Sequence, residues 1–413
     1  MKAPEFDVLV FGATSFVGKI LCHYLFERHG AVGELSWAAA ARSQTKLEAL
    51  RDELGPEASG LPLVVADAAD EATLQDMCAR TRVVISTVGP YALYGEPLIK
   101  VCAQSGTDYC DLTGEVQWIR QMIDRYEATA QVSGARIVHC CGFDSIPSDL
   151  GVAFLQQEAV RRFGHSCVNV RMGVKALRGG VSGGTVASIL NVVKQAAADP
   201  DLRKELANPY SLCDPASTVT VAQPNVMTPS WDADFDSWCA PFLMAGINTR
   251  VVHRSNALQA HPYGTAFRYD EATLTGRGIK GWLTALGVTA GLGAFMVGVS
   301  LPPTRWLLTR FLLPAPGKGP SPQAQQSGFY DLHFFGSTAD GQHVRVRVTG
   351  DRDPGYGSTA KMLGEAGACL AADVPKSALD GGFWTPATAL GDQLLDRLQA
   401  HAGLTFEVEV FEV

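Results

Sequence analysis

Six short apolar runs, at 7–11, 35–40, 63–66, 83–87, 108–112 and 136–140, are separated by segments of helical periodicity. Consecutive parallel strands need a long crossover between them, and a helix on the sheet face is the usual way to make one. The first part of the chain therefore predicts an α/β architecture with a doubly wound parallel sheet, whose ligands bind outside the carboxyl ends of its strands. In the helix after the first strand, Phe16, Ile20, Tyr24 and Leu25 share one face, and Lys19, Arg28 and His29 fall elsewhere.

The turn after the first run reads Gly12-Ala13-Thr14-Ser15-Phe16-Val17-Gly18. In a dinucleotide site the first glycine permits the tight turn, the middle one lets the backbone approach pyrophosphate, and the last lets helix and strand pack closely. Ser15 stands in the middle place. A purely structural glycine turn is the alternative, but the position between first strand and first helix is the context that the motif requires.

The second strand ends Ala41-Arg42-Ser43-Gln44-Thr45-Lys46. A site for NAD usually carries an acidic residue here for the ribose 2′-hydroxyl, whereas NADP needs a cation for the 2′-phosphate. Arg42 can stack on adenine and pair with phosphate, and Ser43 and Lys46 add donors, so NADP(H) is the expected cofactor. The alternative is a solvated helix start. Asp67 ends the third strand, where it can face adenine or cap the next helix. The fourth strand leads into Ser86-Thr87-Val88-Gly89-Pro90-Tyr91, small residues and a rigid turn that suit a loop beside ribose and nicotinamide.

Composition narrows the class. The 413 residues are 46% hydrophobic, which excludes a disordered chain and provides core for two domains. With 34 Lys+Arg against 42 Asp+Glu and no long basic run, nucleic acid is not an expected partner. The ten cysteines include no C-x-x-C pair and most sit in apolar runs, so buried thiols of a reducing compartment are expected, with no metal site. The segment from Met1 to Asp7 is acidic and runs straight into a strand, which predicts no signal peptide and a cytoplasmic protein.

Further along, 167–177, 267–274, 329–335 and 343–349 read as strands, the last two joined as a hairpin across Thr338-Ala339-Asp340-Gly341. Val344, Val346 and Val348 alternate with Arg345 and Arg347, as in a sheet with one wet face. The Pro-, Asp- and Ser-rich stretch 208–238 reads as an extended loop able to act as a lid. Segments 356–371 and 387–400 read as helices.

Together the glycine turn, Ser86–Tyr91, Tyr109-Cys110-Asp111-Leu112-Thr113-Gly114-Glu115 and Gly142-Phe143-Asp144-Ser145-Ile146-Pro147-Ser148-Asp149 resemble the saccharopine dehydrogenase-like oxidoreductases, in the branch with trans-acting enoyl reductases. Gly183-Gly184-Thr185, Asn248-Thr249-Arg250, Gly355-Tyr356-Gly357 and Gly381-Gly382-Phe383-Trp384-Thr385-Pro386 extend the resemblance over nearly the whole chain. It implies an N-terminal Rossmann domain over 1–145, a second α+β domain with a mixed sheet over 146–352, and C-terminal helices, 353–413, that return to the Rossmann side. Ser15 departs from the family's middle glycine. No cluster of arginines that would clamp the carboxylates of saccharopine is evident in the sequence, although Arg171, Arg178, Arg250 and Arg254 could be assembled by folding.

Residues 282–301 hold no ionisable side chain and as a helix would span roughly 30 Å. Four glycines and Pro302-Pro303 weaken a transmembrane reading, and a single crossing would separate the later strands from their sheet. Three readings of the apolar segment 282–313 stay open: contact with a membrane surface, an entrance for a lipid substrate, and a buried helix pair in a homodimer. Arg277, Lys280, Arg305 and Arg310 flank it, as in a monotopic anchor.

Proton-donor candidates are Tyr91, Tyr94, Asp111, Glu115 and Asp144, against the alternative that 111–115 is a helix-capping turn. His139 reads as a core histidine. The expected function is NADP-dependent reduction of an enoyl-type double bond in a hydrophobic, lipid-like substrate. The alternatives are a saccharopine-type amino-acid dehydrogenase and a non-catalytic NADP-binding protein of lipid surfaces.

Overall fold

The computed structural model describes residues 4–180, 183–217, 219–312, 317 and 319–409; residue 313, the end of the apolar segment, lies outside them. The first part runs β1 (Phe6–Phe11), α1 (Phe16–His29), β2 (Trp37–Ala41), α2 (Gln44–Leu54), β3 (Leu63–Val65), α3 (Glu71–Cys78), β4 (Thr81–Ser86), α4 (Tyr91–Tyr94), α5 (Glu96–Ser105), β5 (Asp108–Asp111), α6 (Val116–Ser133) and β6 (Arg136–Val138). The second runs α7 (Ile146–Phe163), β7 (Asn169–Arg178), α8 (Gly183–Ala198), α9 (Pro200–Ala207), β8 (Ser230–Asp232), β9 (Ser237–Pro241), α10 (Ala245–Leu258), β10 (Arg268–Gly276), α11 (Gly278–Ser300), α12 (Pro302–Phe311), α13 (Pro322–Gln326), β11 (Phe329–Ser337) and β12 (His343–Gly350). It closes with α14 (Thr359–Ala372), β13 (Gly382–Trp384), α15 (Pro386–Ala389), α16 (Gly391–Arg397) and β14 (Leu404–Glu409).

The first sheet has the order β13-β6-β5-β4-β1-β2-β3, and every pairing in it is parallel. Helices cover both faces, so its strands need apolar side chains in both directions. All five residues of Trp37–Ala41 are buried, and the small alanines let α2 and its neighbours approach closely. The second sheet, β14-β12-β11-β7-β10-β9-β8, is mixed: β7 and β10 run parallel and the other neighbours antiparallel. The architecture is thus α/β, a doubly wound Rossmann sheet joined to an α+β unit with a mixed sheet.

The hairpin β11–β12 pairs Ser337 with His343 across the predicted turn. Val344, Val346 and Val348 are buried, while Arg347 lies on the other face and binds both carboxylate oxygens of Asp331 across the strands. The stretch after α9 is no free lid. Gln223 donates to the Phe267 carbonyl at 3.0 Å and accepts from the Tyr269 amide at 3.0 Å, which fixes it to β10.

Two segments knit the sheets together. Helix α7 packs on β11 and β12 from the end of the first sheet, and α14 returns to pack on α1, β1 and β4. Of the last two strands, β13 extends the first sheet beside β6, whereas β14 joins β12 at the edge of the second. All ten cysteines are buried free thiols.

Candidate functional site

At the carboxyl end of β1 the chain must turn sharply into α1. Gly12 takes φ 87°, and a side chain there would stand 2.7 Å from Thr87 Oγ1 and 2.8 Å from Val88. A Cβ on Gly18 would fall 2.1 Å from the Gly12 carbonyl oxygen, so both glycines are demanded by close backbone contact. Ser15 is the N-cap of α1: its hydroxyl accepts from the Gly18 amide at 2.9 Å and lies 3.0 Å from Thr87 Oγ1. The first-turn amides of Phe16 and Val17 have no acceptor within their own helix, the arrangement that receives an anion. Ala13 and Thr14 complete the turn.

Beside this loop, β2 delivers Arg42, whose exposed guanidinium forms no ion pair among the described residues. Ser43 caps α2 by accepting from the Lys46 amide at 3.4 Å, and Lys46 itself is exposed. Asp67 folds the backbone after β3 by accepting from the Ala69 amide at 3.0 Å; the N-cap of α3 is Asp70 instead. The β4 loop presents Ser86, Val88, Gly89 and Pro90, the last two joined by a cis peptide.

Three of the proton-donor candidates are engaged by their neighbours. Glu115 is buried, with Oε1 accepting from the Tyr91 amide at 2.9 Å and Oε2 from the Ala92 amide at 3.0 Å, so it caps α4. The Tyr91 phenol donates to the Ser86 carbonyl at 2.9 Å, and burial pushes its pKa well up. Asp111 accepts from the Thr113 and Cys140 amides, from the Tyr109 phenol at 3.1 Å and meets His139 Nδ1 at 2.7 Å. His139 is held edge-on to Trp118, as a core histidine. Tyr94 is half exposed on α4.

Asp144 differs. It sits in the loop between β6 and α7, and a Cβ on Gly114 would lie 3.4 Å from its Oδ2, so two loops at the carboxyl edge of the sheet meet there. Although partly open by area, the carboxyl is pushed up to about 7 by burial, with the charge of Glu271 adding to the shift. Glu271 reaches in from β10 and is likewise pushed up to about 7 by burial. The Tyr269 phenol donates to its Oε1 at 2.8 Å and Asn248 Nδ2 to its Oε2 at 2.9 Å. Asn248 in turn accepts from Ser145 at 3.0 Å, and Ser145 holds φ 116°, a backbone state that a side chain rarely adopts. Such strain persists only where surrounding contacts enforce it.

Helix α8 bridges both parts of the cleft. Ser188 donates to Glu115 Oε1 at 2.8 Å, and Thr185 shares a 2.7 Å hydrogen bond with the Tyr356 phenol. Tyr356 packs edge-on against Phe16 at 5.3 Å, so the C-terminal segment covers the start of α1. Asp353 holds that segment by accepting from the Tyr356 and Gly180 amides. Along α8, Ile189, Leu190, Val192 and Val193 remain only half buried.

Residues 8–138 match the saccharopine dehydrogenase NADP binding domain. A Mycobacterium bovis trans-acting enoyl reductase is 39% identical over 409 residues, covering 95% of this chain and 96% of that protein. A Mycobacterium ulcerans trans-acting enoyl reductase is 38% identical over 410 residues, with 95% and 96% covered. The chain belongs to the saccharopine dehydrogenase-like oxidoreductases. A solved saccharopine dehydrogenase from Saccharomyces cerevisiae shares the fold at TM-score 0.53 and 15% identity, covering 98% of this chain and 99% of that one.

This oxidoreductase is an NAD(P)-dependent enzyme with an NADP-binding domain, and the glycine turn, the first-turn amides of α1 and Arg42, without an ion pair among the described residues, fit the group. Sequence reasoning missed Glu271 and Ser188, and met Asn248 only within the motif Asn248-Thr249-Arg250, without a role. No local pattern marks Glu271 or Ser188, since each acts on a partner more than twenty residues away.

Proposed function

We propose that this protein reduces an enoyl-type double bond of a hydrophobic, acyl-chain substrate with NADPH, in the cytoplasm and in contact with a membrane surface. NADPH when bound supplies the hydride for one carbon of the double bond. The other carbon needs a proton, and Asp144 is the residue of this chain that can give it. Its carboxyl lies at the carboxyl edge of the Rossmann sheet, with a pKa pushed up to about 7 and no side-chain hydrogen bond among the described residues. A carboxylic acid that keeps its proton near neutrality is suited to general acid catalysis. The product is the saturated acyl chain with NADP⁺, and Asp144 is reprotonated from solvent.

In this reading Gly12, Ala13, Thr14, Ser15, Phe16, Val17 and Gly18 hold the pyrophosphate, Arg42, Ser43 and Lys46 the 2′-phosphate, and Asp67 the adenine side. Ser86, Val88, Gly89, Pro90 and Tyr91 line the nicotinamide end. The apolar flank of α8 supports a hydrophobic substrate. Of the four arginines that could build a saccharopine-type clamp, three are engaged elsewhere: Arg171 with Asp232 and Asp234, Arg250 with the Gly246 and Leu206 carbonyls, Arg254 with those of Leu212 and Phe383; Arg178 is exposed at the end of β7.

The single observation that carries the proposal is the carboxyl of Asp144 in this cleft, raised by burial and without a side-chain hydrogen bond among the described residues. The test is NADPH oxidation with a medium-chain enoyl thioester, for wild type and Asp144→Asn, after NADPH binding has been measured by nicotinamide fluorescence. Turnover lost in the variant with NADPH affinity retained supports the assignment. Equal turnover in both removes Asp144 from it, and NADPH binding without oxidation of any enoyl thioester overturns the reaction.

A further inference from the structure

Helix α11 carries two apolar stripes on opposite sides. The inner one, with Gly281, Ala285 and Val299 buried and Leu292 half buried, packs toward β9, β10 and α8. The outer one, Ile279, Leu283, Leu286, Val297 and Leu301, repeats at helical spacing and is exposed, Leu283 to 55% and Val297 to 61%. A helix on a water-facing surface normally turns polar side chains outward, because an apolar outer face stays in contact with water at a free-energy cost proportional to its area. Residues 281–301 offer no ionisable side chain on any face.

After Leu301, Pro302-Pro303 fold the chain back into α12, and Gly298 lets the two helices close, since a Cβ there would stand 3.0 Å from Leu308. Trp306 and Phe311 then stand edge-on at 6.2 Å on the same projection, exposed to 61% and 71%. The result is a contiguous apolar surface much larger than isolated exposed residues would make.

Its charges identify the occupant. Residues 278–312 contain no Asp or Glu, and Lys280, Arg305 and Arg310 have no ion pair among the described residues, while the chain as a whole carries −8. Arg277, at the entry to α11, is paired with Asp236. A second copy docked by two-fold symmetry would bring these cations against their own duplicates with no acid between them. A bilayer containing anionic phospholipid satisfies both parts, because tryptophan and apolar side chains enter the acyl boundary and the cations meet phosphates. We propose that the α11–α12 hairpin is a monotopic docking element for an anionic lipid surface.

The hairpin lies in the plane of the membrane. Helix α11 is about 35 Å long, enough to cross, but α12 at about 15 Å is too short to return. The chain then rejoins the second sheet at β11 beside β7, so both ends of the hairpin stay on one side. This inference stands on the surface chemistry alone and does not depend on the reaction.

The full-length protein is floated with vesicles of phosphatidylcholine alone and of phosphatidylcholine mixed with phosphatidylglycerol. It should float with the anionic vesicles, less so as salt rises. Leu283→Glu with Val297→Glu should abolish flotation. Lys280→Gln and Arg310→Gln should each weaken it by about fivefold on anionic vesicles and leave neutral vesicles unaffected. NADPH binding, measured in parallel, reports that each variant is folded. Absence of flotation with either vesicle overturns the proposal. If the wild type is then a dimer that Leu283→Glu dissociates, the surface belongs to a second copy.

Discussion

Ser188 Oγ on α8 donates to Glu115 Oε1 at 2.8 Å, the same oxygen that accepts from the Tyr91 amide. One carboxylate thereby fixes the β4 loop and the helix that roofs the cleft. Glu115→Gln turns one of those acceptor oxygens into a donor facing an N–H or O–H, leaving a buried group unpaired at about 1–3 kcal/mol. The expected outcome is a lower thermal midpoint and weaker NADPH binding, with the pH dependence of kcat unchanged. Calorimetry and a pH profile read both, and a shifted profile would mean that Glu115 titrates in the reaction.

Asp144 behaves in the opposite way. Its carboxyl goes from a reference near 3.8 to about 7 on folding, so the folded protein holds that proton more tightly than the unfolded chain. The associated stability is complete below the unfolded value and is lost as pH rises through the folded one. Asp144→Asn, which has no charge to bury, should therefore raise the melting temperature relative to wild type near about pH 8, by less near about pH 5, and have little effect near about pH 3. Turnover should fall by about a hundredfold or more, and the loss of wild-type activity above neutrality should disappear from the residual rate.

Arg42 is tested by cofactor preference. Loss of a charge-assisted contact to the 2′-phosphate corresponds to about 1.5–3 kcal/mol, so Arg42→Ala should weaken NADPH by roughly tenfold to a hundredfold. NADH, which lacks that phosphate, should bind equally to both proteins in a fluorescence titration. Equal weakening of both nucleotides would place Arg42 against adenine rather than phosphate.

The turn itself separates two kinds of small residue. Ser15→Gly should change stability by only a few tenths of a kcal/mol, and Ser15→Ala should lower it by about 1 kcal/mol through loss of the N-cap. Gly18→Ala should abolish NADPH binding, because its methyl group meets the Gly12 carbonyl oxygen, a backbone atom with nowhere to move. Urea unfolding and nucleotide titration on the three variants distinguish these outcomes.

Legibility in the sequence followed the range of the interactions. Strand, turn and helix are set by residues within a few positions, so the alternation, the Gly12–Gly18 turn and the 338–341 hairpin could be read directly. The face of α1 could not. Its buried residues are Gly18, Leu21, Cys22 and Leu25, because Tyr24 is turned toward α14, where its phenol donates to Glu365 at 2.6 Å. The cleft was half visible: Asp144 announces itself in a motif, whereas Glu271 is an ordinary strand residue until folding buries it. Strand β13 is three residues long, too short to show any period.

The outer strands β13 and β14 are both supplied by residues 382–409. During synthesis the β6 edge, complete at Val138, therefore waits for β13 at Gly382, and the β12 edge, complete at Gly350, waits for β14 at Leu404. Such edges are templates for pairing with other chains. The nascent protein depends on residues 382–409 to shield two sheets, which makes the interval before they emerge a period of exposure to misassembly and gives chaperones a natural place of action.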